Sequence, residues 1–568
     1  MPFINGQFLI TPQAVTLVDD SNFSAPPSRA NLGLILIGPA TDGKPNTPLT
    51  INGPQDAINK LKGGDGLQAC LLAFNPSPEL SGVNTLTFLR PELATLATSA
   101  IGTVVNLNTT YYGTLANLSK WMIQAGSVFG YKVSLGSDFV GPGGQLYPTA
   151  IQDNVGLNVL SLYYTGTGTV PTVTVSDTQL VLAVTGGTGL TVTFTPTMTV
   201  QQLVNQINNT SGWVATVLEP NASDLVQNLF DYVATAKAVG TTSITAVTLT
   251  ANVTAVVRWI NSTASYFTAT RQANPATVPT SSVWTYASGG TTPVAANADW
   301  QNAYTTAQGI TGVFVITPVI GSASIWAMND AHCAYMTGLG SWRQGYVGDI
   351  LGQTLATEIT NVQALNSFYT EMIWPGNKGT DYNGNNVTFA PYLVAAQVAG
   401  ARAGTIPPGK LTQVVFNSQG VEVVLSPGSS GTIAQANAAG IAAIAPNSSG
   451  QVVLSWDRTT WLQGTQYDKV EMLTRLSLGM IVQTQNAILT KNAGTPVTPT
   501  LLGHVKGDLL ADLTNWYNAG ILAAAPKASD ITLTANGNIV TGTANLQIGI
   551  PGNYWVLTLY PTAYAGVS

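Results

Sequence analysis

The clearest pattern in the chain is a set of short, continuous apolar runs that end in glycine or polar residues. Residues 32–38 (LGLILIG) are apolar at consecutive positions, which predicts a strand buried on both faces. Residues 83–90 (VNTLTFLR) predict another strand, and residues 55–61 and 67–74 predict two helices between them. Strands that alternate with helices predict a βαβ sheet with helices packed on it.

The same alternation returns at residues 293–458. Strands are predicted at 312–316, 343–350 and 368–374, and helices at 300–307 and 354–365. One further helix is predicted because five side chains lie at helical spacing on one face, namely Ile325, Met328, His332, Tyr335 and Met336. The two separated stretches therefore predict one α/β core built from both.

The composition changes between about residue 98 and residue 292, where Thr, Val, Gly and Asn dominate. Residues 170–184 alternate, residues 186–189 form a glycine-rich turn, and residues 190–194 follow as a strand. Short strands separated by turns predict a β-sandwich-like insertion. A single helix is predicted within it, at residues 199–207, with Thr199 as its cap.

The last segment, from about residue 459, is predicted to be α followed by β. Residues 470–489 form one predicted helix, and Asp508 is predicted to cap a second helix that stops at Gly520. The apolar stripe of that second helix consists of Leu509, Leu513, Trp516 and Tyr517. Residues 531–535, the Asn536-Gly537 turn signal and an apolar alternation at 546–550 then predict strands.

Both ends of the chain carry apolar strand-like segments. Residues 8–12 and 14–18 form such segments near the N-terminus, and residues 554–560 (YWVLTLY) are apolar on both faces. A free strand edge of this kind is an aggregation hazard unless another strand pairs with it, and strand exchange between subunits satisfies that need. The predicted exchange residues are Phe8, Ile10, Val15, Leu17, Trp555, Leu557 and Leu559.

Charge is scarce along the chain. Lys and Arg number 20 and Asp and Glu 26 in 568 residues, so only 8% are charged, against about 25% in an ordinary domain. Because surface charge keeps proteins apart, much of this surface is expected to face other copies. The net charge of -6 argues against nucleic-acid binding.

The chain has no apolar run of 18 residues and no basic, apolar leader at its N-terminus, so neither membrane insertion nor a signal peptide is expected. Its only cysteines, Cys70 and Cys333, are too few for a disulfide scaffold.

Residues 38–45 (GPATDGKP) match the spacing of a phosphate-binding loop and follow a predicted buried strand. However, Pro45 stands where the magnesium-binding Ser or Thr should be, and Pro48 opposes the helix that such a loop needs. A surface turn is therefore the favoured interpretation, and no nucleotide is expected.

Other candidate chemistry is also weak. His332 and Cys333 are adjacent, so on a helix they point about 100° apart and do not form a nucleophile–base pair. Residues 428–431 (GSSG) are one residue short of a nucleophile elbow. No catalytic site, metal site or cofactor is expected, and the chain is not expected to be an enzyme.

The order of several short motifs carries a family resemblance. They are residues 29–40 (RANLGLILIGPA), 43–48 (GKPNTP), 84–90 (NTLTFLR), 373–375 (IWP) and 390–402 (APYLVAAQVAGAR). In this order they resemble the tail sheath proteins of contractile-tailed bacteriophages. The resemblance covers about residues 20–95 and 293–568, and residues 98–292 fall where sheath proteins vary.

The resemblance implies an α+β multidomain fold with an α/β core built from N- and C-terminal parts, a β-rich insertion and extended terminal arms. The corresponding domains are 1–20 (N-terminal arm), 21–97 plus 293–458 (α/β middle domain), 98–292 (outer, variable insertion), 459–552 (inner C-terminal domain) and 553–568 (C-terminal arm strand).

The resemblance also implies a function. Sheath subunits polymerise as a helical homo-oligomer of six-fold rings around a tail tube, in an extended metastable state, and contract to drive the tube through the host envelope. The implied partners are other copies, the tail tube protein, and the baseplate and tail terminator proteins. The implied location is the virion, after assembly in the host cytoplasm. The alternatives are a tail fibre, adhesin or other virion structural protein and, third, a hydrolase with a β-sandwich appendage.

Overall fold

The computed structural model describes residues 3–4, 7–8, 32–218, 222–263, 265–273, 278, 281–405 and 409–552. Helices and several separate sheets are combined in one chain, so the predicted α+β multidomain class is confirmed.

An eight-stranded mixed sheet forms the core of the molecule. Six parallel strands lie at its centre, and one antiparallel strand pairs with each side. In spatial order the strands are Val452–Leu454, Ile441–Pro446, Thr370–Trp374, Gln344–Gly348, Val315–Pro318, Leu34–Ile37, Leu86–Leu89 and Leu49–Ile51.

Strand Leu34–Ile37 is fully buried, which confirms the prediction from its continuous apolar run. Its neighbour Val315–Pro318 lies far away in sequence, yet the two pair in parallel from Val315–Leu34 to Pro318–Ile37. The two separated α/β stretches of the sequence therefore form a single sheet.

Helices cover both faces of this sheet. They are Pro54–Leu61, Gly64–Phe74, Asn297–Gln308, Ala323–Gly338, Leu355–Leu365, Pro391–Ala403 and Thr432–Ala438. Helices Gly64–Phe74 and Pro391–Ala403 pack so closely that a Cβ added at Gly400 would lie only 2.3 Å from the Cα of Ala73. Glycine is needed at this position so that the two backbones can approach. A small three-stranded sheet, Asn377–Thr380, Asn386–Phe389 and Gly420–Val421, lies beside them.

Residues 96–287 form two nested β units, each with its own apolar core. The first β unit contains helix Asn252–Thr263 and strands Leu96–Ile101, Val105–Tyr112, Ser119–Ala125, Tyr131–Ser137, Ala150–Val155, Phe267–Arg271 and Thr285–Tyr286. The second β unit contains helix Val200–Asn208 and strands Asn158–Tyr164, Thr169–Val175, Gln179–Thr185, Leu190–Thr193, Trp213–Val217, Val233–Ala238 and Val247–Thr250.

Each unit is inserted through a narrow neck. The chain enters and leaves the first β unit side by side, since the Thr95 N–H donates to the Thr291 carbonyl at 3.0 Å. The second unit is inserted into the first in the same way, and the Ala251 N–H donates to the Leu157 carbonyl at 2.8 Å.

The prediction of a single helix in this region was wrong, because Asn252–Thr263 is a second one. Its β-branched valines favour a strand when considered locally. The first turn is instead capped by the Asp231 carboxylate, which accepts hydrogen bonds from the N–H groups of Asn252 and Val253. Because the cap lies some twenty residues upstream, no local signal announces the helix.

The C-terminal part contains helices Met472–Lys491 and Pro499–Asn518 and a hairpin of strands Ile531–Asn536 and Ile539–Ala544. The predicted cap at Asp508 was wrong. The second helix begins nine residues earlier, where the Thr498 side chain accepts from the Leu501 N–H at 3.1 Å and Pro499 takes the first position. Gly503 and Gly507, both weak helix formers, lie within it.

Candidate assembly surface

The C-terminal hairpin presents two strand edges without a neighbour. Its strands pair with each other from Ile531–Ala544 to Asn536–Ile539, and Gly537, with φ of 61°, starts the connecting turn. Within the part of the chain that the structure describes, no third strand pairs with either edge. Every residue of Ile539–Ala544 is exposed. Unpaired backbone N–H and C=O groups along such edges are a template for another strand.

An apolar groove of about 1030 Å³ lies between this hairpin and the two C-terminal helices. Its floor is made of the buried side chains Ile481, Val505, Leu509 and Ile531. The larger apolar side chains in the rest of the lining are Leu478, Val482, Leu489, Val497, Leu501, Leu502, Leu533, Val540 and Leu546. A lining of this kind favours the apolar face of a further segment of protein.

Polar bonds fix the two helices that form one wall of the groove. Asp512 accepts hydrogen bonds from the Thr484 hydroxyl at 2.7 Å and the Gln485 amide at 2.5 Å. The Trp516 indole donates to the same Thr484 hydroxyl at 3.2 Å. The wall is therefore held in place by contacts between the helices themselves.

Among the exchange residues predicted from the sequence, only the backbone of Phe8 lies within the described residues. The backbone of Phe8 lies in a short hairpin of Phe3–Ile4 and Gln7–Phe8. The others, Ile10, Val15, Leu17, Trp555, Leu557 and Leu559, lie outside the described residues. Sequence reasoning found the hairpin turn near Asn536-Gly537 but missed the groove, which only the packing of two helices creates.

A buried charge network joins the α/β core to the segment that leads into the C-terminal helices. Arg402, completely buried on helix Pro391–Ala403, forms an ion pair with Asp457. Its guanidinium also donates to the Gly409 carbonyl at 2.6 Å and the Tyr346 hydroxyl at 3.3 Å. Burial, reinforced by Asp457, raises the pKa of the neighbouring Glu371 carboxyl well above its usual range. The four side chains of this network, Arg402, Asp457, Tyr346 and Glu371, are all buried, so the network holds the core together.

His332 is a core side chain, as its place on the predicted apolar stripe indicates, and its neighbour Cys333 is buried as well. Tyr335, which the predicted stripe also included, is 53% exposed. The Arg343 guanidinium approaches the Nε2 atom of His332 at 2.6 Å, so that nitrogen acts as an acceptor. Burial and the Arg343 charge lower the pKa of His332 to about 3. Burial raises the pKa of the Cys333 thiol, which removes the thiolate that a nucleophile needs.

Residues 38–45 form a turn at the carboxyl end of a central strand. Lys44 is exposed, the next regular element is strand Leu49–Ile51, and the first helix begins at Pro54. The helix that a phosphate loop needs directly after its lysine is therefore replaced by a turn at Pro45 and Asn46 and then the short strand. Across the described ranges, no group of three His, Cys, Asp or Glu side chains is placed to hold a metal ion. None of the described helices is long and apolar enough to cross a membrane.

Three carboxyl groups gather at the carboxyl edge of the central sheet. Asp349 accepts from the Ile350 N–H at 2.7 Å, and Glu422 accepts from the N–H groups of Gly352 and Gly376. Glu358 is fully buried and has only the Asn361 amide, at 3.4 Å. Burial, and then the Asp349 charge, raise the pKa of Glu358 to about 8. Glu358 is therefore a buried neutral acid at neutral pH.

We expect Glu358→Gln to stabilise the core more at pH 8 than at pH 5. The folded protein keeps the Glu358 proton to about pH 8, whereas the unfolded chain releases it near pH 4.5. Stability is therefore lost as pH rises between these values, at about 1.4 kcal/mol per pKa unit as an upper bound. Melting temperatures across pH 5–9 measure the effect, and the exposed Asp508→Asn is the control. An equal shift at both pH values would contradict the prediction.

Comparison with known proteins agrees with the resemblance stated from the sequence. The chain is 26% identical over 429 residues to the tail sheath protein of Bacillus phage SP01, which is 73% of this chain and 71% of that protein. No protein-family model matches it. Its fold is similar to the crystal structure of a sheath tail protein from Desulfitobacterium hafniense, with a TM-score of 0.56, 13% identity and coverage of 94% and 96% of the two chains.

A sheath tail protein from Listeria innocua gives a TM-score of 0.53 at 14% identity, with coverage of 92% and 93%. The resemblance to tail sheath proteins is thereby confirmed.

Proposed function

We propose that this relative of the tail sheath proteins is the structural subunit of a contractile sheath. It polymerises around a tail tube in an extended, metastable state and shortens to drive the tube through a host envelope. In a chain related to a phage tail sheath protein over 73% of its length, the observation that carries the proposal is the pair of free strand edges beside an apolar groove. Such edges can pair with a strand of another copy, which supports assembly.

The terminal arms of neighbouring copies are the proposed occupants of these edges. The strands Ile531–Asn536 and Ile539–Ala544 have six residues each, which is about 20 Å of extended chain. Residues 554–560 are seven residues long, so they reach along the whole edge. In this arrangement Trp555, Leu557 and Leu559 place apolar side chains at the groove, and residues 8–18, with Phe8, Ile10, Val15 and Leu17, add a further strand.

The partners follow from the same proposal. Copies of the chain form six-fold rings stacked into a tube, the tail tube protein lies inside, and baseplate and terminator proteins close the two ends. The protein is then a virion component that is assembled in the host cytoplasm, and its role is structural.

We also propose that residues 98–292 are an outer, variable insertion between two halves of the α/β middle domain. The hydrogen-bonded neck at Thr95 and Thr291 supports this, because removal of the segment between them would leave two chain ends that are already adjacent. Replacing the residues between the two neck positions, 96–290, by a short Gly/Ser linker should leave the central sheet folded and able to polymerise. Circular dichroism and electron microscopy test this. An excised chain that fails to fold would contradict the boundary.

Electron microscopy of the purified full-length chain tests the function itself. We expect hollow tubes or six-fold rings at high protein concentration. Thin rods would favour a fibre or adhesin, and single globules at every concentration would favour an enzyme. Either outcome would contradict the sheath proposal.

A further inference from the structure

Lys62 occupies an unusual position at the end of helix Pro54–Leu61. Its φ is 63°, the left-handed conformation in which helices usually end on glycine. Its side chain is nevertheless almost completely buried. The left-handed backbone and the burial of an ammonium both cost free energy. We therefore expect the Lys62 side chain to have a partner that offsets these two costs.

The partner is a group of tyrosines from the first β unit. The Lys62 ammonium lies 4.4 Å from the ring centre of Tyr147 and 5.5 Å from that of Tyr111. Tyr266 packs edge-on against Tyr111, with ring centres 6.2 Å apart, and its hydroxyl donates to the Pro148 carbonyl at 2.5 Å. Both distances to the ammonium are within the range of cation–π attraction.

A buried carboxylate completes this contact on the core side. Asp42 accepts hydrogen bonds from the Tyr112 N–H at 2.9 Å and the Gly43 N–H at 2.8 Å, so it too joins the core to the first β unit. The Asp42 charge opposes the lowering of the Lys62 pKa by burial. The ammonium thus lies between an aromatic surface and a compensating charge.

We propose that Tyr111 and Tyr147, with Tyr266 packed against Tyr111, form a binding site for a primary ammonium, and that Lys62 of the α/β core is its built-in ligand. The neck at Thr95 and Thr291 alone is a narrow attachment about which the β units could swivel. The ammonium site and the Asp42–Tyr112 hydrogen bond are further attachments beside the neck, where Tyr112 pairs with Leu96. Together they fix the angle of the β-rich region, so that it moves with the core as one body. The inference does not depend on the proposed sheath function.

Distance measurements between two spin labels on the full-length chain test this. Labels are placed at Val128→Cys in the first β unit, where the native side chain is 83% exposed, and at the exposed Ser448→Cys in the core. The native Cys70 and Cys333 are completely buried and therefore do not compete for label. Dilution with unlabelled protein removes distances between copies, so the readout is independent of any polymerisation.

Lys62→Met removes the charge while keeping the length of the side chain, and Tyr111→Leu/Tyr147→Leu removes the rings. Both should broaden the distance distribution at least twofold. Lys62→Gly distinguishes the role of the Lys62 side chain from the role of its backbone at the helix end, since glycine suits the left-handed backbone but has no side chain. It should keep the melting temperature of the core and still broaden the distribution.

Two controls should leave the distribution narrow. Lys44→Met removes an exposed lysine, and Tyr147→Phe keeps the ring while removing a buried hydroxyl without a hydrogen-bond partner among the described residues. An unchanged, narrow distribution in folded Lys62→Gly or in Tyr111→Leu/Tyr147→Leu would overturn the proposal. Broadening in Tyr147→Phe would also overturn it, because the ring face would then not be the binding group.

Discussion

Deleting residues 553–568 should abolish tube formation while leaving a soluble, folded monomer. The proposed strand at 554–560 supplies backbone hydrogen bonds to the hairpin of a neighbouring copy, and apolar side chains to its groove. Without that strand, each copy keeps its own core but loses its link to the next one. Electron microscopy and sedimentation at concentrations where the wild type polymerises measure the result. Added wild-type protein should not restore long tubes, because each shortened copy breaks the chain of links.

Prolines at Val556 and Thr558 should have the same effect, since proline cannot donate to a strand ladder. The matched control is the exchange Val556→Thr with Thr558→Val, which keeps both N–H groups and the β-branched shape. Normal tubes from the deleted chain, or loss of tubes in the control, would contradict strand exchange.

The proposed strand exchange can also be tested on the strand that would receive the arm, Ile539–Ala544. In a two-residue hairpin the closing pair is hydrogen-bonded, here Asn536 and Ile539, so the N–H of Val540 points away from its partner strand. Val540→Pro therefore removes a donor from the free edge, whereas Val540→Thr keeps it. We expect tubes from the threonine variant only.

Breaking the Arg402–Asp457 pair should cost the core about 3–5 kcal/mol of unfolding free energy. Both groups are buried, so Arg402→Met leaves the Asp457 carboxylate without its cation in a region of low dielectric. The double variant Arg402→Met/Asp457→Leu should recover much of the loss, because neither charge is then left unpaired. Hydrogen exchange of helix Pro391–Ala403 measures the effect within this multidomain chain.

The ion pair of Lys60 with Asp56, in which both side chains are about one-third exposed (34% and 28%), provides the control. Lys60→Met should cost at most about 1 kcal/mol, since solvent screens such pairs. If Arg402→Met lowered the unfolding free energy by no more than about 1 kcal/mol, the buried pair would not hold this part of the core. The same conclusion would follow if the double variant were less stable than both single variants.

The elements that the sequence predicted best are those whose burial is encoded locally. Four consecutive apolar residues at Leu34–Ile37 are typical of a strand that is buried on both faces of a sheet, and the structure has such a strand there. Helix Asn252–Thr263 was missed because its cap comes from Asp231, and the start of helix Pro499–Asn518 was misplaced because two exposed glycines weaken its local signal.

Sites that depend on tertiary packing could not be predicted from local patterns. The groove exists only because a hairpin lies across two helices. The resemblance pointed to the segment that contains Arg402, yet its ion pair with Asp457 depends on a contact 55 residues away. Likewise, nothing in the sequence near Lys62 indicates that tyrosines from a separate unit surround it.

The junction at Leu157 and Ala251 has a consequence for how such chains diversify. One backbone hydrogen bond joins the two residues where the chain leaves the first β unit and returns to it. The second β unit is held further by the Arg271–Asp177 ion pair and by the Asp231 cap of helix Asn252–Thr263. A loop whose ends already meet accepts a different length or fold at small entropic cost. Recombination can therefore exchange this unit for another one, provided that the incoming segment also supplies a cap for helix Asn252–Thr263 in place of Asp231. Under the same condition the junction is a place to graft a foreign domain for display.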